Sequence, residues 1–179
     1  EPGGQGHDRG PPSGIVRTGG RRVTPGSILL AILANPPLTS GSRTSARVDL
    51  AAGLLGFSDS RIVNIFARST RSTRDMSAVG VTSENWMVAR SPLVGGLARA
   101  DAVLLAYGME LPHGPARRHF LSQVDWLDQA IKESGKETWW VGGAPRHPSR
   151  WQRYTYRTHP RLLFPEALKA SLTLRQSID

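Results

Sequence analysis

The sequence predicts an α/β protein: a three-layer sandwich with a central, mainly parallel four-stranded sheet. Three observations carry this expectation. A continuous apolar run at 27–33 reads as a strand covered on both faces, and further strand-like runs recur at 61–66, 102–106 and 137–141. Helix-forming segments lie between them, and strand–helix alternation implies parallel pairing through right-handed crossovers. There is no internal repeat, and no apolar run approaches the ~20 residues that span a bilayer.

Residues 1–26 are rich in Gly and Pro and carry Arg9, Arg17, Arg21 and Arg22. They bury too little apolar surface to offset their ordering entropy, so a flexible basic arm is expected there, with 27–179 as one α/β domain. The first strand, 27–33, stops at Ala34-Asn35-Pro36-Pro37, where paired prolines cannot continue a ladder. A helix follows over 45–55, with Val48, Ala51, Ala52 and Leu55 on one face and Gly56 as its stop. The second strand is 61–66. Residues 84–100 are predicted helical around Trp86, Val88, Leu93 and Leu97, broken or kinked by Pro92. The third strand, 102–106, ends in Tyr107-Gly108. Phe120, Val124, Leu127 and Ile131 then recur at helical spacing over 116–134, with Gly135 at the end. The fourth strand, 137–141, leaves through Gly142-Gly143, and a last helix is expected over about 165–175.

Hydrophobic residues make up 39% and charged residues 21% of the chain, as in soluble globular proteins. The net charge is +9 and the sequence pI about 11.1, a footprint of nucleic-acid binding. An arginine-biased composition would give the same numbers, since only Lys132, Lys136 and Lys169 are lysines. The expected partner is a nucleic acid, DNA favoured over RNA, with no membrane and no obligate protein partner. Nothing at the start of the sequence reads as a basic-then-apolar leader, so a cytoplasmic location is the default. The absence of cysteine excludes disulfides, thiolate metal sites and cysteine nucleophiles. The five histidines lack metal-binding spacing and no phosphate-cradling glycine motif is present, so neither a metal nor a cofactor is expected.

Parallel strands deliver their following turns to one edge of the sheet, where α/β proteins bind ligands. Here that edge would collect Asn35 from the first strand, Asn64 from the second, Tyr107 from the third, and Arg146-His147-Pro148-Ser149 from the fourth. Two amides, an imidazole and an aromatic ring would meet in one crevice. Arg150, Arg153, Arg157 and Arg161, interleaved with Trp151, Tyr154 and Tyr156, suit phosphate contacts and stacking. Arg68 and Arg71 could line the same edge. Plainer readings stand beside these. His147 can cap a turn, Asn35 can simply form one, and Asn64 can pin a loop.

The segments "ILANPP", "RIVNIFA", "VTSENW", "AVLLAYG" and "RHPSRWQ", in this order, resemble the bacterial domain-of-unknown-function family sixteen-forty-three over roughly 28–156. Asn35, Pro36, Thr44, Arg47, Asn64, Phe66, Ala67, Glu84, Asn85, Gly108, Arg146, His147 and Pro148 fit its pattern. Ser42 stands where members carry an aspartate before the helix, and Ala144 where they carry the first histidine of the last motif. The layout is also similar to the uracil-DNA glycosylases, with their first-strand asparagine or aspartate before proline, second-strand asparagine and late "H-P-S" motif. That resemblance implies a glycosylase-like fold and hydrolysis of the N-glycosidic bond of a modified or deaminated base in DNA. Asn35 and His147 would be catalytic, Asn64, Tyr107 and Ser149 would hold the base, and Arg146, Arg150, Arg153, Arg68 and Arg71 would contact the strand. Trp151 falls where the glycosylase loop carries its duplex wedge, although a lid is the equal alternative.

The residue types suit such chemistry. A neutral imidazole fixed by Pro148 could donate to a base carbonyl as charge arrives there, and a preorganised donor of this kind is worth ~3 kcal/mol. Asn35 could position water or stabilise the sugar cation, but it is no strong base. Two other functions are compatible with the sequence: a non-catalytic nucleic-acid- or nucleotide-binding module, and an enzyme acting on free nucleosides or nucleotides.

Overall fold

The computed structural model describes residues 24–176. A five-stranded sheet runs in the order β2-β1-β3-β4-β5, with every pair parallel except the last. The strands are β1 (Thr24–Leu33), β2 (Phe57–Asn64), β3 (Ala102–Leu105), β4 (Glu137–Val141) and β5 (Leu172–Leu174). Between β1 and β2 lies α1 (Ser42–Leu55). Three helices, α2 (Thr73–Val79), α3 (Glu84–Val88) and α4 (Arg90–Arg99), precede β3, and α5 (Pro115–Ser134) precedes β4. After β4 come α6 (Pro148–Thr158) and α7 (Phe164–Ser171).

The continuous apolar runs do what full coverage requires: successive side chains of β1 feed opposite cores. Leu30 and Ile32 pack with Trp86, Leu93, Phe120 and Leu127 from the α3, α4 and α5 side. Leu29, Ala31 and Leu33 pack with Val48, Ala51, Trp151 and Leu168 from the α1, α6 and α7 side. The α/β class and the mainly parallel sheet are therefore as predicted.

The sheet has five strands rather than four. The expected last helix over 165–175 ends at Ser171, and residues 172–174 pair antiparallel with β4, Val141 opposite Leu172. Arg175 closes this edge, donating to Asp128 on α5 at 2.6 and 2.9 Å while its backbone N–H bonds to Thr138 O. The expected arm over 1–26 lies outside the described residues up to 23, but Thr24, Pro25 and Gly26 belong to β1. Pro25 has no N–H to donate and Gly26 takes φ +78°, so the register slips between Thr24 and Ile28 before regular pairing starts.

The second strand begins four residues earlier than predicted, at Phe57, and stops at Asn64. Ser58 and Asp59 conceal it in the sequence because β2 is an edge strand with solvated positions. The helix expected over 84–100 is two, parted at Ala89. Pro92 cannot donate to Val88 O four residues back, which ends α3 there.

Gly96 marks a close crossing of α4 over β1 and β2. A Cβ there would meet Leu30 Cδ1 at 2.9 Å and Val63 Cγ1 at 3.4 Å. Gly53, on the exposed side of α1, has nothing within 4 Å of such an atom. Gly96→Val is expected to cost about 1–3 kcal/mol by overpacking, whereas Gly53→Ala should gain about 0.5–1 kcal/mol of helix stability. Midpoints of urea unfolding at unchanged slope would measure both.

Candidate functional site

The chain places β2 on one side of β1 and β3 on the other, so the turns after β1 and β3 diverge and leave a crevice at the carboxyl ends of the strands. A cavity of about 700 Å³ occupies it. Ala34 and Asn35 form one wall and Tyr107, Gly108, Met109 and Glu110 another. Arg71, Ser72 and Thr73, at the start of α2, close a third side, and Arg146, His147, Ser149, Arg150, Arg153, Tyr154 and Arg157 form the fourth.

That fourth wall is built by the turn from β4 into α6. Gly142 and Gly143 take φ +62° and +73°, which reverses the chain at little steric cost. Arg146 then folds back, its Nη1 donating to Val141 O and Gly142 O, each at 2.8 Å, with the guanidinium 4.1 Å over the Tyr154 ring. A Cβ at Gly142 would overlap the Tyr154 phenol, so glycine is required there twice over. Gly108 N–H donates to Pro145 O at 2.6 Å and joins the β3 turn to this one. Trp151 is completely buried, and its Nε1–H donates to Arg146 O at 2.7 Å. This corrects the expectation that Trp151 reaches a nucleic acid as wedge or lid: α6 is a helix, and residue 151 is the side chain that seats it on the sheet. From Arg47 on α1, Nη1 donates to Pro148 O at 2.8 Å and Nη2 to Gln152 Oε1 at 3.0 Å, which fastens the same helix from outside.

His147 is the N-cap of α6. Its Nδ1 accepts the Ser149 backbone N–H at 3.2 Å and lies 2.9 Å from Ser149 Oγ. An Nδ1 that accepts from an amide carries no proton, so the neutral ring holds its hydrogen on Nε2 as a donor. Burial pushes the imidazole pKa below its ordinary value, and the nearby Arg150 and Arg47 charges push it the same way. The plainer reading, that His147 caps a turn, is what the geometry shows. The Ser149 hydroxyl, expected to touch a base, is within hydrogen-bond reach of the imidazole.

The remaining predicted residues divide. Asn35 lines the cavity, and its Nδ2 is committed to Pro36 O at 2.9 Å and Thr70 O at 2.8 Å, which leaves Oδ1, an acceptor, as its free polar atom. Tyr107 is also in the wall, with its ring edge-on to Phe120 at 6.1 Å. Burial first, then the Asp128 charge, raises its hydroxyl pKa to about 12, so it stays protonated. Asn64 is not in the wall. By the alternation of β2 it shares the face of Ile62, and its Oδ1 is buried without a hydrogen-bond partner among the described residues, at a cost of about 1–3 kcal/mol. Arg68 is exposed and also lies outside the wall, whereas Arg71 is within it.

Among the charged residues of the wall, Glu110 was not singled out from sequence, whereas Arg157 was read together with Arg150 and Arg153. Glu110 is its one carboxylate, signalled only by following the third strand. Arg157 follows from helical spacing, because Arg150, Arg153 and Arg157 recur at i, i+3 and i+7 while Trp151 and Thr155 face the core. No family model, curated protein or solved structure matches the chain.

Because folding lowers the His147 pKa below the ~6.5 of an unfolded chain, the unfolded state binds the proton more readily. Its stabilising effect is therefore full above that value and is lost as pH falls toward the folded pKa. The difference in unfolding free energy between the wild type and His147→Ala should shrink over this acid interval and level off below it. Nitrogen NMR of the ring should find Nδ1 unprotonated at neutral pH; a proton on Nδ1 would contradict the assigned tautomer.

Proposed function

We propose that this cavity binds nucleic acid, with phosphates held along α6 and one nucleotide received at the switch point. The observation that carries this reading is the charge of the wall: five arginines, at 71, 146, 150, 153 and 157, face one carboxylate, Glu110. Arginine presents donors in a fork matched to phosphate oxygens, and a concave low-dielectric setting focuses its field. The volume, about 700 Å³, falls within the ~300–1,000 Å³ typical of ligand sites. The motif resemblance to the uracil-DNA glycosylases points in the same direction, with a glycosylase-like fold as its finer form.

A second reading, hydrolysis of an N-glycosidic bond, is favoured by one specific feature. His147 in its neutral form carries Nε2–H, the form needed to stabilise charge on a departing base, and Asn35 lines the same cavity with its amide nitrogen already committed. Asn64 stands outside the wall, so the base-reading role expected of it has no support, and binding is the leading function.

Binding should fall steeply with salt, because each neutralised phosphate releases counterions. Replacing Arg150 or Arg153 by Ala should weaken binding to every sequence alike and reduce the slope of log K against log salt by about 1 each. Fluorescence anisotropy across a salt series measures this; salt-independent binding, or none at low salt, refutes the proposal. For the second reading, base-modified oligonucleotides should yield alkali-labile sites with the wild type and none with His147→Ala.

A further inference from the structure

We infer that the nucleic acid this site takes is a single strand, with Tyr156 as the stacking platform for the nucleotide just outside the cavity. The inference rests on the binding function proposed above and narrows its ligand. Three observations lead to it. The first is shape. The arginines line a concavity of about 700 Å³, in the range of sites that enclose a small ligand. A duplex meets such a site only at its rim, whereas an unpaired nucleotide with its phosphates enters it.

The second is the fate of Trp151. A protein that extrudes a base from a duplex must offset the unstacking, commonly with an inserted side chain. The tryptophan at that place in the sequence is buried and bonded to Arg146 O, and cannot be inserted. The third is Tyr156. Among the described residues it is the only aromatic side chain that is largely exposed, at 72%. It lies three residues from Arg153 on α6, so the two are surface neighbours. Arginines that follow a backbone, flanked by a ring on which a base can lie, form the combination by which single strands are held without reading sequence.

The test measures anisotropy of the full chain with a labelled thymidine dodecamer, the matching uridine dodecamer, and a blunt duplex of equal length. Either single strand should bind at least tenfold tighter than the duplex, and the ratio of the two identifies the preferred sugar. Tyr156→Ala should weaken single-strand binding about 5- to 150-fold, the range that base–aromatic stacking supports, with the salt slope unchanged because no charge is lost. Tyr156→Phe should bind like the wild type. Equal or tighter binding of the duplex, or an unaltered affinity in Tyr156→Ala, overturns the inference and leaves nucleic-acid binding intact. Failure of all three probes to bind at low salt overturns both.

Discussion

Trp151 has no exposed surface, and its indole N–H is matched by a carbonyl only five residues back in the chain. The orientation of α6 depends on this seat. The helix is otherwise polar, with only Pro148 and Thr155 also buried. Burying an indole removes about 150–250 Å² from water, worth at most about 4–6 kcal/mol at 25 cal/mol/Å². That is a large part of what such a helix can gain by docking. Once residue 151 points into the sheet, helical geometry turns 150, 153 and 157 away from the core and toward the carboxyl ends of β1 and β3. Three of the five arginines of the cavity wall thus take their direction from how this helix is seated.

Gathering guanidiniums on one wall raises a question of self-repulsion, and the molecule meets it with neutral groups rather than carboxylates. Arg146 is held by two backbone carbonyls and a phenol ring. Arg47, just behind α6, bonds to a carbonyl and an amide oxygen and lies 5.7 Å from the Phe164 ring centre. Its pKa is lowered, by burial first and then by Arg43. Two ion pairs of the described residues, Arg61 with Asp59 and Arg175 with Asp128, involve none of the wall's arginines. Dipoles fix these side chains in place without cancelling their charge. The field in the cavity therefore remains available to an incoming anion.

Most of the fold was legible because full burial on both faces leaves a strong mark. The runs at 102–106 and 137–141, and the Phe120-to-Ile131 periodicity, translated directly into β3, β4 and α5. What escaped notice was structure whose burial is partial or borrowed. β2 is an edge strand with polar positions, α2 has seven residues and one buried side chain, and α6 docks chiefly through Trp151, with Pro148 and Tyr154 beside it. The signals for α6 were present, with Pro148 at the first helical position and arginines at helical spacing, but Arg–aromatic interleaving also reads as a binding loop. Site placement followed the same divide. Asn35, Tyr107 and His147 reach one cavity because parallel strands deliver their turns to one edge. Asn64 misses it because it still belongs to the ladder, opposite Leu33, and the pleat rather than a turn decides where it points.

His147 shows how a structural role can prepare a chemical one. As an N-cap it must present an unprotonated Nδ1 to the Ser149 amide, and protonating that atom would break the cap. The capping bond, the burial and the Arg150 and Arg47 charges all oppose the imidazolium form. Each therefore selects the same species, a neutral ring with its hydrogen on Nε2. A residue selected only for polarity at this turn could be serine or asparagine, which cap at least as well. What histidine adds is a second nitrogen on the far side of the ring. The cap commits Nδ1 and leaves Nε2 as the ring's donor, on a residue that lines an arginine-rich cavity.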